Sequence, residues 1–229
     1  MKTLIVGDIH GCYDQLVRLL NKLDFRENED RLISLGDLMD RGTQSYEVLM
    51  YLRGLKGRMK ERCVIIMGNH EWMAIHGRLN QEIRRMWYQN GGKATVDSFM
   101  SHGDKLERYV GWLRADTLRY YAEERFQCVH AGVKEEQLGE NTELTLLWSR
   151  AALEENQYRG KLTVVGHTPL KDVVHFTGDW KSTEVVPYGV ERELPETGMI
   201  CIDTGCVFHR KLTGMVVEDG KYWVEGVEY

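Results

Sequence analysis

Short apolar runs alternate with helical patterns along the first 75 residues. The runs at 3–6, 32–35 and 63–67 are short and continuous, which is typical of buried strands. Between them, leucines at 16, 19, 20 and 23 and apolar residues at 46, 48, 49 and 52 recur at helical spacing. This spacing predicts helices over 13–23 and from about 44 to 54. Three strand–loop–helix units in series predict βαβ crossovers and a largely parallel layer.

The pattern changes after residue 73. Residues 73–119 are helical in character and rich in aromatic side chains, which predicts a helical cap against the sheet. Later apolar runs indicate strands at 118–122, 126–130, 162–165, 173–176, 199–202, 214–217 and 222–224, with one helix over 144–153. The polar stretch 177–196 predicts a surface excursion. Parallel units followed by hairpin-like strands predict an α/β fold with two packed sheets, in a single domain over residues 1–229.

Composition and charge narrow the class of protein. The 229-residue chain has a formal net charge of −5, which argues against a dedicated nucleic-acid binder. Its five cysteines form no CxxC pair, so we expect free thiols and a reducing, cytoplasmic location. The chain starts directly on a strand, and no apolar run approaches the roughly 20 residues that span a bilayer. We therefore expect neither a signal peptide nor membrane association.

Metal-type and phosphate-type side chains follow five of the predicted strands. In chain order, these loops carry Asp8 and His10; Asp37, Asp40 and Arg41; Asn69 and His70; His130; and His167. In open α/β sheets ligands bind at the carboxyl ends of strands, so we expect these side chains to meet at one edge. Mixed nitrogen and oxygen donors suit Mn²⁺, Fe²⁺ or Zn²⁺. The pattern predicts a phosphate-ester hydrolase with two ions about 3.5–4 Å apart, bridged by Asp37.

Each of these residues taken alone has a simpler explanation. Asp8 and His10 could form a solvated turn or a helix cap. The histidines of the last two loops could be hydrogen-bonded structural residues, and the acid–arginine pair of the second loop could be a surface ion pair of little energetic value. Their joint occurrence after nearly every apolar strand favours a metal site.

The motifs together resemble a known family. The order GDIHG (7–11), GDLMDRG (36–42), GNHE (68–71), HAG (130–132) and GHT (166–168) resembles that of the PPP-type metallophosphatases of the calcineurin-like metallophosphoesterase fold. GNHEWMAIHG, NGG at 90–92, LWSR at 147–150 and IDTGCVF at 202–208 are similar to its bacterial and phage branch, which includes the lambda-phage protein phosphatase. The resemblance covers almost the whole chain. It implies a four-layer α/β/β/α sandwich, in which two mixed sheets are flanked by helices.

The resemblance also implies a role for each site residue. The ligands of the first ion would be Asp8, His10 and Asp37. The ligands of the second ion would be Asp37, Asn69, His130 and His167. Arg41 and Arg150 would bind the phosphoryl oxygens, which the planar guanidinium suits. His70 would be the general acid, oriented by Asp40. The implied cofactors are two divalent ions, Mn²⁺ first, with Fe²⁺ or Zn²⁺ as alternatives.

Three hypotheses remain for the substrate. The first, favoured here by chain length and a compact carboxyl-terminal region, is a protein serine/threonine phosphatase with phosphotyrosine as a further target. The second is a dinucleoside polyphosphate hydrolase of the diadenosine tetraphosphate type, because those enzymes share most of the motifs. The third, a silent metal- or phosphate-binding module, conflicts with the intact set of His70, Asp40 and Arg41. The expected partner is a phosphorylated protein or peptide, or else a small phosphorylated molecule, and the oligomeric state stays open.

Overall fold

The computed structural model describes residues 1–180 and 182–229. Its strands are β1 (Thr3–Val6), β2 (Arg31–Ser34), β3 (Cys63–Ile66), β4 (Thr117–Leu118), β5 (Tyr120–Ala122), β6 (Gln127–Val129), β7 (Thr163–Val165), β8 (Val174–Phe176), β9 (Thr183–Val185), β10 (Arg192–Glu193), β11 (Met199–Cys201), β12 (Lys211–Glu218) and β13 (Lys221–Glu228). Its α-helices are α1 (Tyr13–Lys22), α2 (Ser45–Met59), α3 (Asn69–His76), α4 (Gln81–Trp87), α5 (Lys93–Ser101), α6 (Val110–Asp116), α7 (Glu143–Trp148) and α8 (Ala151–Glu155).

The strands form two mixed sheets, as the sequence predicts. The first sheet has the order β10-β13-β12-β1-β2-β3-β4, and the second has the order β5-β6-β7-β11-β8-β9. In the first, β1, β2, β3 and β4 pair in parallel, and β12 joins β1 antiparallel. In the second, β6, β7 and β11 are parallel, while the outer pairs are antiparallel. The parallel strands therefore form one side of the first sheet, out to its edge at β4, and the middle of the second sheet.

Period-two alternation in the strands sorts side chains between the two faces of each sheet. In β1, Leu4 faces the helices on the outside, whereas Ile5 packs between the sheets with Ile200 of β11. A separate cluster, which includes Val165 and Leu146, covers the outer face of the second sheet beneath α7. The result is the four-layer α/β/β/α sandwich, which confirms the predicted fold class. Because the central core draws on both sheets, we expect the whole chain to behave as one domain, and this stays a prediction.

Two helices differ from their predicted bounds. Helix α2 continues past Gly54 to Met59, because buried Leu55 and Met59 extend its apolar stripe. This burial outweighs the roughly 1 kcal/mol that each interior glycine costs a helix relative to alanine. The predicted helix over 144–153 is instead two short helices, because Ser149 adopts an extended backbone between them. The break leaves Arg150 exposed at the start of α8.

The carboxyl-terminal hairpin is longer than predicted. Strands β12 and β13 pair over their full length, with Glu218 opposite Lys221. Asp219 and Gly220 connect them with φ of 49° and 82°, which is the left-handed backbone of a tight two-residue hairpin turn. The predicted surface excursion 177–196 contains two short strands, β9 and β10, each at the edge of a sheet. Within residues 1–180 and 182–229, no helix has the length and apolar character needed to cross a bilayer.

Candidate metal centre

The five predicted loops converge at the carboxyl ends of the parallel strands. Asp37, after β2, lies at the centre of the cluster. Its carboxylate oxygens are 3.3 Å from His10 Nε2, 3.4 Å from His130 Nε2 and 3.8 Å from His70 Nε2. All four side chains are buried. The edge predicted from the sequence is therefore where these groups meet.

The loops hold a strained backbone at these positions. Left-handed φ angles occur at several non-glycine residues that carry the candidate chemistry: His10 (44°), Asp37 (47°), Asp40 (72°), Arg41 (69°) and His167 (64°). Such conformations cost on the order of 1–3 kcal/mol each and persist where surrounding contacts determine them. Here the first and second loops are joined by hydrogen bonds from His10 N to Asp37 O, at 2.8 Å, and from Gly42 N to His10 O, at 3.1 Å. The backbone thus aims several side chains at one point.

Hydrogen bonds from outside the cluster orient two of the imidazoles. The Nδ1–H of His10 donates to Met39 O, and that of His130 donates to Leu35 O, both at 2.8 Å. In each ring this arrangement leaves the Nε2 lone pair directed toward Asp37. An imidazole whose other nitrogen is held by a carbonyl is the usual form of a metal-ligating histidine.

Acceptor atoms crowd the second half of the cluster. The amide oxygen of Asn69 lies 3.0 Å from His130 Nε2 and 3.3 Å from His167 Nδ1, and the Asp37 carboxylate is also adjacent. The amide group of Asn69 can present either its oxygen or its nitrogen to these neighbours. With the oxygen inward, the atoms of Asn69, Asp37, His130 and His167 that face one another are all acceptors. A cation satisfies all of them. The donor set therefore fits a divalent metal ion.

Ligand atoms group into two overlapping sets that share Asp37. One set is His10, Asp37 and His70, the other is Asp37, His130 and His167, and the candidate ligand atoms within each lie within 4.8 Å of one another. Asp8, expected in the first set, accepts the backbone N–H of His167 at 3.0 and 3.1 Å. It thereby links the first and fifth loops. Asp37 is common to both sets, which is the geometry that a bridging ligand needs, and the bridging role stays a prediction.

The pKa values of Asp37 and of three nearby imidazoles are shifted in the directions that favour an ionised carboxylate and neutral rings. Burial alone would raise the pKa of Asp37, but the neighbouring His130 and His70 hold that pKa well below its usual range. Burial lowers the pKa of His10 and His130, and burial together with His130 lowers the pKa of His167 to about 3. The neutral imidazole is the form that binds metal.

A second buried carboxyl lies beside Asp8. Burial, Asp203 and Asp37 raise the pKa of Asp8 well above its ordinary value, and burial with Asp37 raises the pKa of Asp203 to about 6. Repulsion between like charges at short range is what a bound cation relieves. Asp203 was not among the predicted site residues. It directly follows β11, so the rule that located the other loops also applies to it.

His70 and Asp40 form a fully buried pair. His70 Nδ1–H donates to Asp40 Oδ2 at 2.7 Å. The same oxygen accepts the indole N–H of Trp87 at 2.7 Å, and Asp40 Oδ1 accepts the hydroxyl of Thr95 at 2.6 Å. Burial opposes protonation of His70, but the carboxylates of Asp37 and Asp40 raise its pKa. Its Nε2 lacks a hydrogen-bond partner among the described residues, so it is available to a ligand.

The cap supplies the groups that hold Asp40. Trp87 ends α4 and Thr95 lies in α5, with the segment Tyr88–Gly92 between the two helices. Gly91 has a φ of 104°, and a Cβ on Gly92 would come within 2.5 Å of the Trp87 ring. The paired glycines are therefore required by this packing. The local sequence carries no signal that Trp87 or Thr95 would reach Asp40.

Glu71 joins the second and third loops. Its carboxyl oxygens accept the backbone N–H groups of Asp37, Leu38 and Gly68, each at 2.9 Å. Burial and the charge of Asp37 raise the pKa of Glu71 to about 8, against the opposing effect of these N–H groups. The sequence places it in the GNHE motif, but its role as a connection between loops appears only in the structure.

The two arginines flank the cluster. Arg41 Nη1 lies 2.5 Å from His10 Nε2. Arg150 is exposed at the break between α7 and α8, and its charge contributes to the lowered pKa of His167. His167 itself is only partly buried. The cluster is therefore open on the side of His167 and Arg150.

Comparison with known proteins gives a family and a set of relatives. A family model described as calcineurin-like phosphoesterase matches residues 1–194. A symmetrical bis(5'-nucleosyl)-tetraphosphatase from Shewanella loihica is 38% identical over 136 residues, which are 58% of this chain and 45% of that protein. The chain thus spans about half the length of this relative. Relatives from Buchnera aphidicola and Proteus mirabilis, at 34% and 31% identity, carry the same name.

Solved structures share the fold at low identity. A metallophosphoesterase from Sphaerobacter thermophilus aligns with a TM-score of 0.67 and 19% identity, over 100% of this chain and 89% of its own. A protein serine/threonine phosphatase from Saccharomyces cerevisiae aligns with a TM-score of 0.65 and 13% identity, over 100% and 80%. At these identities the likeness concerns the fold alone.

The prediction that the chain is a protein serine/threonine phosphatase is wrong. The curated relatives at 31–38% identity are named as tetraphosphatases of dinucleosides. The phosphatase expectation rested on chain length and on motifs that both branches share. Those motifs carry the side chains that are expected to bind metal and phosphate throughout the family, so they do not discriminate between substrates.

Replacing Glu71 with glutamine tests the connection between the loops. We expect the free energy of unfolding to fall by about 2 kcal/mol, because one amide N–H₂ must then face a backbone N–H that the carboxylate accepted. The measurement is urea unfolding in the presence of EDTA. The exposed Glu82, replaced with glutamine, should change the value by less than about 0.5 kcal/mol. Unchanged stability in E71Q would contradict the role of the Glu71 carboxyl in connecting the loops.

Proposed function

The chain belongs to the calcineurin-like phosphoesterase family, and we propose that it hydrolyses dinucleoside tetraphosphates at the central phosphoanhydride. The observation that carries this proposal is the 38% identity to a protein named as a symmetrical bis(5'-nucleosyl)-tetraphosphatase. Symmetrical cleavage would release two nucleoside diphosphates. The buried cluster around Asp37 supports the hydrolytic chemistry.

Metal binding in this proposal uses the convergent donors. One ion would be held by Asp8, His10 and Asp37, and the other by Asp37, Asn69, His130 and His167. The lowered pKa values of His10, His130 and Asp37 support metal binding by these residues, because they favour the neutral imidazoles and the ionised carboxylate. Nitrogen and oxygen donors without thiolate suit Mn²⁺ first, with Fe²⁺ or Zn²⁺ as alternatives. When bound, such ions lower the pKa of water and neutralise phosphoryl oxygens.

The remaining residues would bind phosphate and move a proton. Arg41 and Arg150, on two sides of the cluster, would bind phosphoryl oxygens through their guanidinium groups. His70 would donate the Nε2 proton to the leaving oxygen, while Asp40 keeps Nδ1 protonated and stabilises the imidazolium. The raised pKa of His70 supports this role, because it favours the protonated form.

Substrate preference is tested by direct comparison. With Mn²⁺, we expect kcat/KM for diadenosine tetraphosphate to exceed that for p-nitrophenyl phosphate and for a phosphoserine peptide by at least about tenfold, because relatives named for this substrate share the chain's motifs. Products are separated by ion-exchange chromatography, and ADP should be the sole nucleotide product. Release of ATP with AMP, or preference for the phosphopeptide, would contradict the proposal.

Replacing Asp37 with asparagine tests the shared ligand. We expect loss of Mn²⁺ binding by calorimetry and loss of hydrolysis, because the amide removes the negative charge that both ligand sets share. Asp97, exposed on α5 and paired with Lys93, is the matched control, and D97N should retain both properties. Two ions bound by D37N with wild-type affinity would exclude the bridging role.

Replacing His70 with asparagine tests the proton donor. Mn²⁺ affinity should change little, because His70 is not among the proposed ligands. We expect kcat to fall by about 10²-fold or more for an alkyl phosphate and by a smaller factor for the dinucleotide, whose nucleoside diphosphate is the better leaving group. Equal losses on the two substrates, or release of one metal ion, would assign His70 to a different role, such as ligation.

A further inference from the structure

An aromatic side chain stands at the mouth of the metal centre. Phe208 is 50% exposed, and the guanidinium carbon of Arg41 lies over its ring, 5.5 Å from the centroid. Arg41 in turn contacts His10 at the cluster. One arginine therefore spans from the candidate metal ligands to an accessible aromatic ring.

The backbone around Phe208 fixes the ring in this position. Cys206–Phe208 form one 3₁₀ turn between two left-handed residues, Gly205 with φ of 72° and His209 with φ of 59°. Cys206 is buried and anchors the inner side of the turn. Asp203 Oδ1 accepts the Gly205 N–H at 2.9 Å, so the turn is tied to the carboxyl that neighbours Asp8. The Phe208 ring therefore faces outward from a turn that is hydrogen-bonded, through Gly205, to Asp203 at the site.

The surroundings of the ring favour an anionic ligand. The position that a Cβ on Gly205 would occupy lies within 3.5 Å of Phe208 Cδ2, Arg210 Cδ and Pro169 Cβ, so these three side chains are neighbours. Pro169 follows the loop that carries His167. Beyond Arg210 lies a cleft of about 420 Å³ lined by Lys171, Asp172, His209, Arg210, Lys211 and Glu228. Basic groups thus lie on both sides of an exposed ring.

We propose that Phe208 is a specificity-determining residue that stacks on one nucleobase of the substrate. This inference rests on the proposed function and adds a nucleoside subsite to it. An aromatic ring beside an arginine matches a nucleotide, which joins a flat π-system to phosphates. With a base on Phe208, the adjoining phosphate lies beside Arg41, and the next phosphates extend toward the metal centre. Stacking accepts any base, so the subsite would select for a nucleobase rather than for adenine in particular.

The test compares two inhibitors that differ by the nucleoside. ADP and inorganic pyrophosphate both present two linked phosphates, and their inhibition constants are measured against p-nitrophenyl phosphate turnover with excess Mn²⁺. In Phe208→Ala we expect the Ki of ADP to rise about tenfold relative to that of pyrophosphate, which is the scale of one base–aromatic stack. Phe208→Trp should restore the wild-type ratio. Tyr120, 40% exposed on β5, is the matched control, and Y120A should leave both constants and turnover unchanged.

Each outcome either supports or overturns the stacking role of Phe208. An unchanged ratio in F208A overturns the stacking role. Equal increases in both constants also overturn it, because the ring would then act only by supporting Arg41. The same variants are assayed on diadenosine tetraphosphate, where kcat/KM should fall about tenfold in F208A. Failure of the wild-type protein to hydrolyse that substrate would contradict the proposed function, while the inhibitor ratio would still report on Phe208.

Discussion

An ionised carboxylate in a dry interior is the constraint on which the rest of the site depends. Asp37 is buried at the junction of two sheets, where burial alone favours its protonated form. Positive charge on neighbouring imidazoles reverses that preference, and a bound cation would do the same once the imidazoles are neutral. The orientation of His10 and His130 is set by the backbone carbonyls of Met39 and Leu35. These groups are held around one charge by the strained loops and by buried Glu71. The acceptor atoms around Asn69 complete that half of the cluster. The fold is therefore organised to retain a negative centre that only cations fully satisfy.

The layers and the meeting point of the loops were predictable because both follow from local patterns. Strands such as β1 alternate apolar residues between two faces, and polar residues at strand ends must leave the core. Parallel strands then bring those ends to one edge, which is why His130 and Asp37 could be expected to meet although they are 93 positions apart in the sequence. Asp203 obeys the same rule and could have been found by applying it to β11. The residue types at these strand ends also indicate that the cluster is rich in hydrogen-bond acceptors.

Other features depend on contacts that local patterns do not encode. Trp87 and Thr95 reach Asp40 from the cap, about 50 residues later in the chain, and nothing in their neighbourhoods marks them. Helix α2 passes two glycines because tertiary burial outweighs propensity. The phosphatase prediction was wrong for a different reason: it rested on motifs that are common to the whole family. The residue that we propose for selectivity, Phe208, lies outside those loops, and its exposure is known only once the chain is folded.

The hydrogen bonds from Trp87 and Thr95 to Asp40 divide the site between two parts of the fold. The ligand atoms come from loops at the ends of the two sheets, so packing of the sheets suffices to assemble them. The histidine–carboxylate pair is complete only when α4 and α5 have docked over those loops. The cap therefore adds two hydrogen-bond donors to Asp40 and, among the described residues, contributes no candidate ligand atom. A change in the cap would disturb the proposed proton donor while leaving the convergence of the ligand atoms intact.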